Sequence, residues 1–133
     1  MTPTIGIDLV EIKRFAHWHA YSDKQLRKSF SDQEIIFCRS VPAKSAERFA
    51  VRFAAKEALF KALAPYADAT PPLLTLFACA EIKTGSNGAQ FHIDWDLLKD
   101  YYSVNKTADI TIQTSLSHTS TTACAVVMTH SFT

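Results

Sequence analysis

The sequence predicts an α+β fold, with an antiparallel sheet packed against one long central helix and several short N-terminal helices. Three observations carry this. Residues 47–63 form one uninterrupted helical stretch near the middle of the chain. The strand-like segments that follow it are joined by hairpin signals and do not alternate with helices, which argues against βα units. The chain of 133 residues is long enough for one domain with a real core and too short for two. Residues 1–133 are therefore read as a single domain, without repeat, low-complexity segment or linker.

The elements follow in order. Thr4 to Val10 is a short apolar strand running into a helix. Asp8 and Glu11 have the D-x-x-E form of a helix start, so 9–20 is expected to be helical, with Phe15 and Trp18 on one side. Ser22-Asp-Lys-Gln25 and Ser31-Asp-Gln-Glu34 both match the capping box, predicting short helices over about 23–29 and 32–39. The long helix is rich in Ala, Leu, Lys, Arg and Glu, with Ser45 as a candidate cap and Pro65 as a stop. Residues 64–72 hold three prolines and no glycine, and read as a stiff loop. A strand is expected over 73–83, a turn at Gly85-Ser-Asn-Gly88, and a returning strand over 89–93. Asp94 is a candidate cap for a short helix to about Tyr102, and 104–107 reads as a polar link. Residues 109–116 alternate as a strand with Ile110, Ile112 and Leu116 on one face. A polar break at 117–120 precedes a last apolar strand over 123–128.

Composition excludes several classes. A net charge of +1 argues against a general nucleic-acid or membrane-surface binder. No apolar run reaches the length of a membrane span, and the N-terminus has no charged-then-apolar signal. The three cysteines, Cys38, Cys79 and Cys124, are far apart and show no metal-type spacing, as expected of reduced thiols in a cytoplasmic protein. The charge is uneven, however. Lys13, Arg14, Lys24, Arg27 and Lys28 face only Asp23 between positions 13 and 28, either as a wet surface or as a docking face for an acidic partner.

Three features could carry chemistry. Asp8 ends an apolar strand and is either a helix cap or a ligand. Glu57 stands one helical turn before Lys61, either as an ion pair with it or as part of a site. His118 lies in Ser117-His-Thr between two strands, either solvated or functional. Taken together, a carboxylate from a strand end and one from a helix suit a hard cation such as magnesium, which binds one or two carboxylates plus substrate phosphates. Lys61 then meets a phosphate as a point charge, and Arg48, Arg52 and His118 supply further anion contacts. Lys56 is left as a solvated charge. No Gly-rich phosphate loop is present, so side chains must hold the phosphates. The ligand inferred is a polyphosphorylated cofactor with magnesium.

Ile5-Gly-Ile-Asp8-Leu-Val-Glu-Ile-Lys-Arg14, Phe49-Ala-Val-Arg52-Phe-Ala-Ala-Lys-Glu57-Ala-Leu-Phe-Lys61-Ala and Leu116-Ser-His118-Thr-Ser-Thr-Thr-Ala-Cys-Ala-Val-Val127 resemble the holo-acyl-carrier-protein synthases. These are the small single-domain 4′-phosphopantetheinyl transferases, and the resemblance extends over nearly the whole chain. It implies their fold, and transfer of the phosphopantetheine arm of coenzyme A to a serine of an apo acyl carrier protein, releasing adenosine 3′,5′-bisphosphate. It implies Asp8 and Glu57 as magnesium ligands and Lys61 at the pyrophosphate. Arg48, Arg52 and His118 fall to the coenzyme's phosphates, and Lys13 and Arg14 to carrier docking. It also implies a homotrimer. Glu57 and a metal-bound water both remain open as the base. The chain departs from the pattern after Lys61, where Ala-Leu-Ala-Pro replaces the usual Gly-Thr-Gly and removes a close backbone approach. The alternative is a non-catalytic member that binds the carrier or coenzyme A.

Overall fold

In the computed structural model, which describes residues 3–131, one helix lies across the inner face of a three-stranded sheet. That helix, α3 (Ser45–Leu63), is the long helix expected, and it is buried along most of its length. It starts two residues early, with Lys44 at the cap position. Ser45 is inside the helix, and its hydroxyl is buried without a partner.

The sheet has the order β1–β5–β4, antiparallel throughout, with β1 (Thr4–Glu11), β4 (Ile110–His118) and β5 (Thr122–Ser131). A separate hairpin pairs β2 (Ala80–Gly85) with β3 (Gly88–Ile93). Its turn is the one expected, and Gly88 takes the positive φ of 89° that favours glycine there. Short helices α1 (Asp23–Leu26) and α2 (Asp32–Arg39) both carry complete capping boxes, from Ser22 with Gln25 and from Ser31 with Glu34.

Period-2 alternation sorts the sheet's side chains. Thr4, Gly6, Asp8 and Val10 of β1 turn to α3, in register with Thr129, Val127, Ala125 and Ala123 of β5. Ile5, Ile7 and Leu9 turn outward and are 69%, 55% and 63% exposed. Strand and helix approach closely at Gly6. A Cβ placed there would stand 2.0 Å from the Ala58 carbonyl oxygen. Ala58 and Ala62 are fully buried beneath it, and Thr4 donates a 2.6 Å hydrogen bond to the Ala62 carbonyl.

Several expectations are corrected. No helix spans 9–20. β1 continues to Glu11, and only 3-10 turns follow at Ile12–Phe15 and Trp18–Ala20. Pairing of Val10 with Ala123 and Glu11 with Thr122 prevails over the helix-start signal, and Asp8 is a strand residue and not a cap. Phe15 and Trp18 nevertheless share a side, joining Phe30, Phe49 and Phe53 in one aromatic cluster. The strand expected over 73–83 is split: Leu73–Cys79 is a helix, α4, and only the remainder is strand. Pro72 sets its start and Leu76 and Phe77 are buried; an apolar run of this length fits either structure. Asp94 makes no side-chain cap, and the helix after it is a single 3-10 turn, Trp95–Leu98. The link at 104–107 is a short helix, α5 (Val104–Thr107). Asp68 ties it to the proline-rich loop, accepting from Ser103 N–H at 2.9 Å and Lys106 at 2.6 Å.

Gly6→Ala is expected to lower the unfolding free energy by about 3 kcal/mol or more, since the added methyl meets helix backbone and not a yielding side chain. A urea midpoint equal to wild type would show that strand and helix separate at little cost.

Candidate active site

The close approach at Gly6 brings the next inward residue of β1 beside the following turn of α3. Asp8, its side chain 11% exposed, meets Lys61, whose Nζ lies 3.2 Å from Asp8 Oδ1 and donates to the Ile7 carbonyl at 2.9 Å. Of the two readings of Glu57 and Lys61, the ion pair within the helix gives way to Asp8–Lys61, between strand and helix. Asp8 Oδ2 is buried and has no hydrogen-bond partner. Such an oxygen is costly unless a proton or a cation reaches it.

Glu57 is the neighbour able to share either with it. Its carboxyl is held above the usual range by partial burial, then by the charge of Asp8 and a hydrogen bond shared with it, while Arg14 and Lys61 oppose the shift. Two carboxylates thus crowd one another, and the crowding is relieved by a shared proton or a shared hard cation. Among the described residues no cluster of three or more His, Cys, Asp or Glu is placed to hold a metal. A cation here would take its remaining ligands from substrate and water.

Arg48 and Arg52 form a second group. Both guanidinium groups lie over the Phe37 ring, at 4.1 and 4.2 Å from its centre. Arg48 donates to the Phe37 carbonyl and the Ser40 hydroxyl, both at 2.9 Å. Arg52 is only 5% exposed, burial pushes its pKa down, and its Nε is without a partner. It lines a cavity of about 430 Å³ with Phe37 of α2 and with Lys83 and Thr84 of the hairpin. Glu34 and Glu81 line the same cavity, and Lys83 is paired with Glu81 at 3.5 Å, so the unused donor of Arg52 is the feature here that suits an anion.

His118 meets α3 near its start, at Glu47. It closes β4 on the inner face, in register with Ala123 and Val10. Its Nε2 is 3.0 Å from Glu47 Oε1 and its Nδ1 is 3.2 Å from the Thr119 carbonyl. Both partners are oxygen acceptors. A phosphate would have to replace one of them.

Lys13 is largely exposed, with Glu11 at 3.1 Å. Arg14 lies over Phe53 at 4.8 Å and is felt electrostatically by Glu57, so the two expected docking residues differ in place. Lys56, expected to be solvated, is instead completely buried and paired with Glu34 at 2.7 Å. The stripe Arg48, Arg52, Lys56 follows i, i+4 as expected, but it faces α2 and α4 and not water. The sequence reading missed Glu34, Glu47, Lys83 and Thr84. Glu34 was visible only as half of a capping box, and the others carried no local signal. Beyond Lys61, the helix continues through buried Ala62 and Leu63 into a 3-10 turn, Ala64–Tyr66. No residue there needs a positive φ.

Residues 4–126 match the family described as the 4′-phosphopantetheinyl transferase superfamily. The holo-[acyl-carrier-protein] synthase of Treponema denticola is 36% identical over 126 residues, covering 93% of this chain and 94% of that protein. That of Koribacter versatilis is 46% identical over 59 residues, 44% of this chain and 46% of the relative. Among solved structures, the acyl carrier protein synthase of Mycobacterium tuberculosis superposes with a TM-score of 0.66 at 29% identity, covering 96% of each chain. The Helicobacter pylori holo-[acyl-carrier-protein] synthase, solved in complex with coenzyme A, gives 0.69 at 25% identity, covering 95% of this chain and 99% of that one.

Replacing Asp8 with Asn removes the like charge that faces Glu57 while leaving its burial. The Glu57 titration, followed by carboxyl carbon NMR without divalent cations, is then expected to move down toward the ordinary glutamate range. An unmoved titration would mean that burial alone raises it.

Proposed function

Because the chain belongs to the 4′-phosphopantetheinyl transferase superfamily, we propose that it transfers 4′-phosphopantetheine from coenzyme A to a serine of an apo acyl carrier protein and releases adenosine 3′,5′-bisphosphate. The transferase domain is the whole chain. The observation that carries the reading is the bare, buried Asp8 oxygen beside a Glu57 of raised pKa, with Lys61 at their edge.

Asp8 and Glu57 are the residues that hold magnesium in this reading, and hard carboxylate oxygens fit that ion. Bound there, magnesium supplies neutralisation of charge on the transferring phosphate. The serine hydroxyl attacks the β-phosphorus and forms the new P–O bond. The bond to the bridging oxygen breaks, and its electron pair leaves on the 5′-phosphate of the bisphosphate. The serine proton passes to Glu57 or to a water held beside it, and the two remain open as the base. Lys61 faces the leaving phosphate once it exchanges Asp8 for a phosphate oxygen. Arg52, Arg48 and His118 hold the coenzyme's phosphates. Arg52 has a free Nε for this, and His118 must release Glu47.

Lys13 and Arg14 dock the acidic carrier. The outward row of Ile5, Ile7 and Leu9 beside Met128, which is 41% exposed, supports association with further copies as a homotrimer. A cytoplasmic setting agrees with three free cysteines, of which buried Cys38 is pushed up to about 12.

Incubation with coenzyme A, magnesium and apo carrier is expected to add one phosphopantetheine to the carrier's mass, and Glu57→Gln to lower kcat/KM by about 100-fold or more with the fold intact. An unchanged carrier mass across several candidate carriers would replace the transferase by a binding module. Lys13→Glu is expected to raise the KM for the carrier several-fold and leave that for coenzyme A unchanged. Equal effects on both substrates would remove Lys13 from docking.

A further inference from the structure

The least expected group in the molecule is the buried pair of Lys56 and Glu34, and it is fully saturated. Lys56 Nζ donates to Glu34 Oε1 at 2.7 Å, to the Ser29 carbonyl at 2.6 Å and to the Phe77 carbonyl at 3.0 Å. Its three protons meet three acceptors from three parts of the chain. Burial pushes the ammonium pKa down, and the charge of Glu34 pulls it back. Glu34 is used just as completely. Oε1 also accepts from Ser31 N–H at 2.8 Å, closing the capping box of α2. Oε2 accepts from Ile82 N–H at 3.1 Å.

The last bond gives the pair its significance. Ile82 sits in β2, whose pairing with β3 uses one edge of the strand. A side chain of α2 takes the Ile82 N–H outside that ladder. Glu34 and Ile82 also line the cavity that holds Arg52 on one side and Lys83 and Thr84 on the other, with Glu81, 3.5 Å from Lys83, on the hairpin wall; a ligand must draw Lys83 from Glu81. One carboxylate therefore ties both walls: the helical wall of α2 and α3 through Lys56 and Ser31, and the hairpin wall through Ile82. A hydrogen bond tolerates only a few tenths of an ångström, so the width of the cavity is set by this carboxylate. An apolar residue of equal volume would fill the space without fixing the gap.

We propose that Glu34 is the positioning residue of the anion pocket, holding the β2–β3 hairpin at the distance from Arg52 at which Lys83 and Arg52 grip one phosphorylated ligand together. This rests on the coenzyme reading of the site. Lys56 is the partner that Glu34 meets in the core, and neither residue touches the ligand's reacting atoms.

The test is Glu34→Gln. The amide keeps shape and volume but has only one acceptor oxygen. With that oxygen on Lys56 and Ser31, the amide nitrogen confronts Ile82 N–H, donor against donor. Three measurements are made on the full chain: hydrogen exchange at the Ile82 amide, the Kd for coenzyme A by calorimetry, and steady-state kinetics. Exchange at Ile82 is expected to quicken by tenfold or more. Kd and KM for coenzyme A are expected to rise about tenfold, while kcat and the KM for the carrier stay within about twofold. A merely structural pair would lower the unfolding midpoint and the active fraction and leave KM unchanged, and that result overturns the proposal. So does faster Ile82 exchange with wild-type coenzyme affinity. Should the amide variant not fold, Glu34→Asp is measured identically, since it keeps the charge but is too short to serve Lys56 and Ile82 at once. Wild-type protein that binds no coenzyme A would overturn the function itself as well as this role, and is read before any variant.

Discussion

The close contact between β1 and α3 at Gly6 is the constraint on which the rest depends. Residues 6 and 8 of a strand share a face, and residues 58 and 61–62 of a helix lie one turn apart. Pressing Gly6 against the Ala58 carbonyl therefore delivers Asp8 to the turn that carries Glu57 and Lys61. Any larger residue at 6, 58 or 62 would hold the sheet away from the helix. Asp8 would then lose both its lysine and its carboxylate neighbour. The small residues are thus required for the Asp8–Glu57–Lys61 cluster as much as for packing.

The same helix serves two further partners from its other sides. Toward α2 it offers Arg48, Arg52 and Lys56, each engaged differently: two guanidinium groups over one phenylalanine ring and one ammonium sunk into the core. Toward the aromatic cluster it offers Phe49 and Phe53, on which Arg14 rests. A helix buried on nearly all sides must neutralise its charges locally. Lys56 does so with Glu34 and two backbone carbonyls. Arg52 does so incompletely, and its unused Nε is consistent with a ligand completing the set.

The legible parts of the sequence were those with local causes. Two capping boxes, the Asn-Gly turn and the helix-forming run of α3 all act within a few residues, and all are present, although α1 stops at Leu26, short of the expected end near 29, and α3 starts two residues early. What was misread depended on distant partners. The signal at Asp8 to Glu11 favours a helix, but strand pairing with β5 takes those residues. The run from Leu73 is apolar in either conformation, and only its packing decides. Lys56 looks like any surface lysine in an i, i+4 stripe. Its burial depends on a glutamate 22 positions away that the sequence shows only as a cap. Asp8, Glu57 and Lys61 were named from the sequence and are together in the structure. Their mutual pairing was not legible, because the choice between Glu57 and Asp8 as partner of Lys61 is made by the strand's approach.

The helix end sharpens this further. Where glycines were expected, α3 runs on through Ala62 and Leu63, both buried, and Tyr66 beyond them accepts a hydrogen bond from Thr129 of β5 at 3.1 Å. The segment that follows is pinned by Asp68 and stiffened by proline. A glycine loop would let backbone amides reach a pyrophosphate. Here those positions are helical and their amides are spent inside the helix. Charge at this end of the site must come from side chains. Lys61, anchored on the Ile7 carbonyl and Asp8 and carried by a rigid helix, is the one placed to supply it. The substitution removes a backbone cradle and keeps the ammonium group, so in the proposed reaction phosphate recognition falls to Lys61 and to the arginines a few turns away.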